Sequence, residues 1–409
     1  MKLVALFLCA AAILSAQSPG RHKRTVTDAE VQRVHKSAIL IDTHNDVTSA
    51  TVAGLDLGKP NTDHMTDLPR MKKGGMGAQN FAVYVAASYV DGNHAANRAL
   101  QMIDTVRHDI IERYPNDFAF AVTAADIRRA HKQGKIAALL GIEGGHAIED
   151  SPRLLRDFFD LGVRYMTLTH SNSNHWADSS GDNNKPNNGL SSLGKEIVAE
   201  MNRIGMIVDI SHVSDKTFWD ALEVSKAPIF ASHSSCRAIS PAPRNMTDEM
   251  IAALGKKHGV VQINFSCDFL SPEVFAANQV VREKTQALRD ELIKKYANDP
   301  QGIQRAMREA RQSAGGVSPK RATLADVVKH INHVVEIAGV DSVGIGSDFD
   351  GIGCAPEGLD SVDKWPNLTR ALLEEGYTAP EIRKIYGGNT LRLMEDVERV
   401  AYGRLQSHL

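Results

Sequence analysis

The stretch Leu139-Leu-Gly-Ile-Glu-Gly-Gly-His146 contains the pattern that decides the fold, an apolar run that stops on a carboxylate and two glycines. Such a run is typical of a strand buried in a parallel sheet. The glycines let the backbone turn tightly beside Glu143, although a solvated or helix-capping carboxylate would look the same in isolation. Similar apolar runs recur along the chain. They cover 39–43, 78–86, 136–142, 163–169, 206–211, 228–232, 260–265 and 342–347.

Helical patterns separate these runs, so the sequence predicts an α/β fold with eight strand–helix units, the (β/α)8 or TIM barrel. That fold typically needs about 250 residues, whereas the chain has 409. We expect the surplus in a helical insertion at about 266–320, after the seventh strand, and in C-terminal helices at about 368–397. A doubly wound open sheet is the alternative, but no Gly-x-Gly-x-x-Gly motif follows a strand.

The first residues are typical of a targeting segment. Lys2 is followed by a short apolar run over 3–14 and then by small residues, which predicts a secretory signal peptide over 1–16. The run is shorter than the roughly 20 residues of a membrane span. We therefore expect a protein exported to the periplasm or the extracellular space, with no transmembrane segment in the mature chain. One catalytic domain is expected over 17–409, because no linker or repeat divides the chain.

The composition excludes several classes of protein. Lys and Arg number 47 and Asp and Glu 49, a formal charge of −2, which argues against nucleic acid as a partner. Four cysteines without a Cys-x-x-Cys motif argue against a disulfide scaffold and a thiolate zinc site. Three cysteines would remain after signal cleavage, so at least one should stay free or pair between chains. The 16 histidines, several beside Asp or Glu, are the unusual feature.

Six of the eight predicted strands end on His, Asp or Glu. Each such residue alone could be a core histidine or a turn carboxylate. In a barrel, however, the strand ends converge on one face, where the active sites of this fold lie. The joint pattern therefore favours a functional site. The strand-end candidates are His44, Asp46, Glu143, His170, His212, His233 and Asp348.

Five of these candidates fit two divalent metal ions. The terminal ligands would be His44, Asp46, His212 and His233, and Glu143 is placed to bridge. A set of imidazoles and carboxylates without thiolates suits zinc, with manganese or cobalt as substitutes. Asp348 lies beyond the ligand count and is left for general acid or base work.

The motifs resemble those of the membrane (renal) dipeptidase family, a branch of the metal-dependent amidohydrolase-type barrels. The similarity extends over about 39–394, with the motifs in the family's order. The matching segments are His44-Asn-Asp46, Glu143-Gly-Gly-His146, Thr169-His-Ser-Asn172, Asp209-Ile-Ser-His212, Ala231-Ser-His-Ser234, Arg244-Asn245, Gly346-Ser-Asp-Phe-Asp-Gly351 and Gly387-Gly-Asn-Thr-Leu-Arg-Leu-Met394.

The resemblance implies a zinc-dependent dipeptidase on a barrel of the metallo-dependent hydrolase type, with two Zn²⁺ per subunit. By motif position, His44 and Asp46 would bind one ion, His212 and His233 the other, and Glu143 and a water or hydroxide would bridge them. His170 would contact the substrate and stabilise the tetrahedral intermediate. Arg244 would bind the C-terminal carboxylate of the dipeptide. Asp348 would carry the proton from the bridging water to the leaving amine.

Some features depart from the family, and other interpretations stay open. Animal members are lipid-anchored and bear disulfides, whereas no apolar tail follows residue 402 here. A homodimer is possible by resemblance, and the 266–320 insertion could be a lid or a dimer surface. An alternative function is a metal-dependent hydrolase of another small amide or ester, such as an N-acyl amino acid. A secreted binding barrel with a structural metal is a third, against which the spare Asp348 argues.

Overall fold

The structure, a computed structural model, describes residues 21–295 and 320–406. The predicted signal peptide at 1–16 lies outside the described residues, as does the part of the predicted insertion at 296–319. No helix within the described ranges is both long and apolar enough to cross a bilayer.

Eight strands form a nearly closed parallel barrel, which confirms the predicted fold class. With one further strand, β3, which lies outside the barrel, the strands are β1 Leu40–Asn45, β2 Met76–Tyr84, β3 Phe118–Phe120, β4 Ile136–Glu143, β5 Val163–Thr167, β6 Ile207–Asp209, β7 Phe230–Ser234, β8 Val260–Ile263 and β9 Val343–Ile345. Their order is β1-β2-β4-β5-β6-β7-β8-β9, with β3 paired to β4 outside this path. A parallel bridge between Asn45 and Phe349 joins the end of β1 to the segment after β9. Each predicted apolar run corresponds to one barrel strand, and only β3 was not predicted.

Helices follow the strands and cover the outside of the barrel. The α-helices are Asp28–Lys36, Val47–Thr51, Leu68–Lys73, Ala95–Thr105, Ala124–Lys132, Pro152–Asp160, Ser192–Ile204, Asp215–Val224, Asp248–Lys256, Cys267–Leu270, Pro272–Lys295, Leu324–Ala338, Trp365–Glu374, Ala379–Arg383 and Asn389–Gln406. Their starts follow local chemistry. The Ser151 side chain accepts from the Leu154 N–H, and Pro152 occupies the first helical turn.

Alternation along β4 explains how the strand delivers its last residue to the barrel mouth. Leu139 belongs to an apolar cluster that also holds Ile41, Tyr165 and Phe230, whereas Leu140 belongs to the larger outer cluster. Side chains two apart share a face of a strand, so Leu139, Gly141 and Glu143 all point inward. Gly141 leaves room for the Tyr165 ring, because a Cβ at this position would lie 2.0 Å from Tyr165 Cζ.

The cysteines tie the segment after β8 to the segment after β9. A disulfide joins Cys267 and Cys354, and Cys236 is a buried free thiol. The Cys267 N–H also donates to the Cys354 carbonyl at 3.1 Å. The short helix Cys267–Leu270 is therefore fixed against the loop that follows the last strand.

Candidate active site

The structure brings the five predicted metal ligands into one cluster at the carboxyl ends of the strands. The two carboxylate oxygens of Glu143 face different partners. Oε2 lies 3.5 Å from His44 Nε2, while Oε1 lies 3.0 Å from His212 Nε2 and 3.3 Å from His233 Nε2. Asp46 Oδ2 is 3.2 Å from His44 Nε2. Glu143 thus stands between two sets of ligands, which is the geometry of a bridging carboxylate.

The His44 ring is buried, and its Nε2 has no hydrogen-bond partner within the described residues. Its other nitrogen, Nδ1, lies 2.8 Å from the Tyr165 hydroxyl. That hydroxyl donates its single proton to the Thr43 carbonyl at 3.1 Å, so it accepts from His44 Nδ1–H. The Nε2 of His44 therefore faces the two carboxylates, as in a metal-binding imidazole whose ring is oriented by a second contact.

A similar relay orients His233 on the other side of the cluster. The Ser232 hydroxyl donates to Asp209 Oδ2 at 2.6 Å and accepts from His233 Nδ1–H at 2.7 Å. The lone pair of His233 Nε2 then points toward His212 Nε2, 3.0 Å away. Two ring nitrogens at this separation need a proton or a cation between them. The donor set, the facing nitrogens of His212 and His233 and the unpartnered Nε2 of His44 fit a pair of divalent cations, and zinc suits imidazole nitrogen with carboxylate oxygen.

The electrostatics of the cluster agree with this fit. Burial alone would raise the pKa of Glu143, but the surrounding histidines hold it well below its usual range. Burial holds the pKa of His212 and His233 well below their ordinary value, so both rings are neutral. An ionised carboxylate and neutral imidazoles are the protonation states that bind metal ions. Burial opposes charge on His44 as well, yet Tyr165 and the nearby carboxylates raise its pKa strongly, so positive charge is favoured there.

Asp348 lies beside the first ligand pair, after β9. Its carboxylate belongs to a compact group with His44 and Asp46, and Asn264 Nδ2 donates to its Oδ2 at 2.8 Å. Burial, reinforced by Asp46 and Glu143, raises the pKa of Asp348 well above its ordinary value. Its backbone has a φ of +62°, a left-handed conformation that is uncommon for a residue other than glycine and that clusters at functional sites.

His170 and Arg244 lie at different depths. His170 Nε2 is 3.8 Å from Glu143 Oε1, and the ring faces the cavity above the cluster. The Arg244 guanidinium donates to Ser234 Oγ at 2.6 Å and to the His233 carbonyl at 2.8 Å. Arg244 therefore touches the cluster from the side and does not line the cavity. Burial lowers the pKa of Arg244 to about 10, which leaves the side chain cationic at neutral pH.

A cavity of about 740 Å³ opens above the cluster, a volume in the range of small-molecule sites. Its floor is Asp46, Glu143, His170, His212 and Asp348. Its walls are Ser49, Tyr84, Ser266, Asp268, Phe269, Asn278 and the loop 350–354, and of these only Asp350 and Gly351 belong to a motif singled out in the sequence. The Phe269 ring also lies 5.7 Å from the Arg244 guanidinium carbon.

Comparison with known proteins identifies the family. The family model for membrane dipeptidases, peptidase family M19, matches residues 28–408. The chain belongs to this family. Two uncharacterized dipeptidases of Schizosaccharomyces pombe are each 34% identical to it. One match extends over 380 residues, 89% of this chain and 82% of the relative, and the other over 402 residues, 93% and 86%.

Solved structures agree with the assignment of this M19 protein. The probable dipeptidase PvdM from Pseudomonas aeruginosa superposes with a TM-score of 0.81 at 25% identity, covering 91% of this chain and 98% of that one. A metallo peptidase from Rhodobacter sphaeroides, liganded with a phosphinate mimic of the dipeptide L-Ala-D-Ala, gives 0.70 at 26% identity, with 88% and 99% covered. The protein is therefore a metallo-dipeptidase of the M19 family.

Proposed function

We propose that the protein hydrolyses the peptide bond of dipeptides at a centre of two zinc ions. The observation that carries the proposal is the orientation of Glu143, whose two oxygens face separate ligand sets. His44 and Asp46 would complete one site, and His212 and His233 the other. Two divalent cations held there would activate a bridging water for attack and polarise the scissile carbonyl.

The other side chains would bind the substrate and move its proton. Asp348 is buried beside the cluster with a raised pKa, so it can accept a proton and pass it to the leaving amine. Asn264 orients this carboxyl through its hydrogen bond to Oδ2. His170, on the cavity side of Glu143, would bind the carbonyl oxygen as negative charge develops there. Arg244 supplies the positive charge for the C-terminal carboxylate of the dipeptide.

A second candidate is a hydrolase of another small amide or ester, such as an N-acyl amino acid. The position of Arg244 is the reason to consider this second candidate. Two of its nitrogens already donate to Ser234 and His233, and the residue does not line the cavity. A substrate carboxylate would have to reach the guanidinium past the Phe269 ring. The dipeptide mimic bound by the relative from Rhodobacter sphaeroides supports the first candidate.

The deciding experiment is a hydrolysis screen of metal-free enzyme reloaded with Zn²⁺, Mn²⁺ or Co²⁺. The panel holds dipeptides with L- and D-configured C-terminal residues, the same dipeptides with amidated carboxyl groups, and N-acyl amino acids. We expect chelation to abolish activity and amidation to reduce it strongly. We expect the Asp348→Asn variant to keep two metal equivalents and lose turnover. Full activity on amidated substrates would reject Arg244 as the carboxylate ligand, and full activity of Asp348→Asn would reject its role.

We also propose that the enzyme is exported through the signal peptide at 1–16 and acts as a homodimer outside the cytoplasm. The charged start and short apolar run support export, and family resemblance supports the dimer. N-terminal sequencing of the secreted protein and light scattering of the purified protein test the two points. An unprocessed N-terminus would contradict the first, and a monomeric mass the second.

A further inference from the structure

His170 is held differently from the metal-cluster residues on β1, β4 and β7. Strand β5 ends at Thr167, so His170 lies on the loop that follows it. Its Nδ1 contacts the Ser171 hydroxyl, its neighbour on the same loop, at 3.1 Å. The ring packs between two aromatic side chains: Tyr84, with ring centroids 4.9 Å apart at 60°, and His212, at 4.5 Å and 37°. The ring is therefore held by packing on two sides in addition to this one local hydrogen bond.

Tyr84 is the member of this packing that lies on a barrel strand. It is the last residue of β2 and lies opposite Glu143 in the parallel register. Paired residues of adjacent strands point to the same face, so Tyr84 leaves the barrel at the level of the bridging carboxylate. Its ring is half-buried and lines the cavity, and its hydroxyl has no hydrogen bond to the described residues. Tyr84 therefore contacts His170 through its ring and not through its hydroxyl.

We propose that Tyr84 is a positioning residue whose ring holds the His170 imidazole with Nε2 toward the cluster. This inference rests on the proposed function, because it assigns Tyr84 a role only through the substrate contact of His170. An edge-to-face contact of this kind fixes ring orientation without a polar partner. Loss of the ring should therefore lower kcat while the metal ligands, which Tyr84 does not orient, stay in place.

The test is a double-mutant cycle on zinc-loaded enzyme with a dipeptide substrate. Tyr84→Leu removes the ring and should lower kcat about tenfold, with a smaller change in KM and unchanged zinc content. Tyr84→Phe keeps the ring and should restore most of the rate. In the His170→Ala background, Tyr84→Leu should cost nothing further. Tyr89→Leu, on an exposed residue of the same connection, is the matched control and should leave the kinetics unchanged.

The outcomes separate the two proposals. If Tyr84→Leu lowers the rate equally with and without His170, Tyr84 does not act through His170 and the inference is overturned. A Tyr84→Phe variant as slow as Tyr84→Leu would overturn it too, since the hydroxyl would then be required. If His170→Ala alone has full dipeptidase activity, the proposed role of His170 fails instead. Should Tyr84→Leu not fold, Tyr84→Met is used in the same cycle.

Discussion

The floor and the wall of the cavity are built in different ways. The floor holds the metal-binding cluster on strand ends and is fastened by buried hydrogen bonds between strands. The part of the wall compared with it is the helix Cys267–Leu270 and the loop 350–354, which a disulfide joins. Chemistry that needs fixed geometry thus lies at the strand ends or within a few residues of them, while the surface that would meet the substrate's side chains lies on longer loops.

Two buried carboxylates fasten the floor. Asp42, on β1, accepts from the Ser347 N–H at 2.8 Å and from its hydroxyl at 2.6 Å, which joins β1 to the segment after β9. Asp209, on β6, accepts from the N–H groups of Ser211 and Ser232 at 3.0 and 2.8 Å. The bonds from Ser232 and Ser347 join neighbouring strands below the cluster, and the bond from Ser211 holds the turn after β6. The wall is fastened separately, by the disulfide, which makes the two regions separable by mutation.

The largest effect should follow from replacing Glu143 in the floor of the cavity. Glu143→Gln removes the charge that both ligand sets share, so zinc content should fall and kcat/KM should drop by more than about 100-fold, beyond the loss typical of outer contacts. Metal analysis and dipeptide kinetics measure both. Glu112→Gln, at an exposed glutamate, is the control and should change neither. Two zinc equivalents with normal turnover in Glu143→Gln would contradict the bridging role.

Removing the disulfide of the wall should have a large effect on stability and on KM. The disulfide closes a sequence separation of 87 residues, and the double variant Cys267→Ser/Cys354→Ser should lose about 2–4 kcal/mol of unfolding free energy. KM should rise, whereas zinc content should not change, because no cluster residue is crosslinked. Urea unfolding, kinetics and metal analysis test this. A reductant should reproduce the changes in the wild type and leave the double variant unaffected; zinc loss in the double variant would show that floor and wall are not separable.

The contacts behind the histidines should give intermediate effects. Asp209→Asn disturbs the Ser232 relay to His233 and should weaken zinc binding about 10–100-fold. Tyr165→Phe keeps the ring and loses only the hydroxyl that accepts from His44, so its effect should lie at the lower end of that range. Competition with a zinc chelator measures both affinities. Equal affinity of both variants and the wild type would mean that these contacts do not orient the ligands.

The strands and the ligand cluster could be predicted because both follow from local pattern and barrel geometry. Continuous apolar runs mark buried parallel strands, and a barrel brings their carboxyl ends together wherever they lie in the chain. Strand β3 escaped prediction because Phe118–Phe120 is too short to show a period. Glu143 and His44 could be placed on one face without knowing any distance between them.

The supporting residues could not be predicted, because their roles depend on register and on neighbours far away in sequence. Tyr165 looks like a core aromatic within an apolar run, and its contact with His44 exists because Gly141 leaves space for the ring. Asp209 was visible only as a carboxylate ending a strand. The pairing of Cys267 with Cys354 could not be read from three cysteines, since each pairing was equally open.

The smallest predicted effect is a pH dependence of the wall. His330 is buried under it, where Nδ1 accepts from the Cys236 N–H at 3.0 Å and Nε2–H donates to the Leu270 carbonyl at 3.1 Å. Burial lowers the pKa of His330 to about 4, against about 6.5 in an unfolded chain. Between these values the unfolded state binds the proton and the folded state does not, so the free energy of unfolding falls as the pH falls.

From pH 7.5 to 5.5 this single histidine should cost about 1.4 kcal/mol, increasing further toward pH 4. Urea unfolding across that range should show a shallower pH slope in His330→Asn than in the wild type. His131→Asn, at an exposed histidine, should keep the wild-type slope. His35, whose pKa burial also lowers, contributes equally to all three proteins and cancels in the comparison. An unchanged slope in His330→Asn would mean that protonation of His330 does not contribute to the loss of unfolding free energy at low pH. The loss would then come from other titrating groups of the protein.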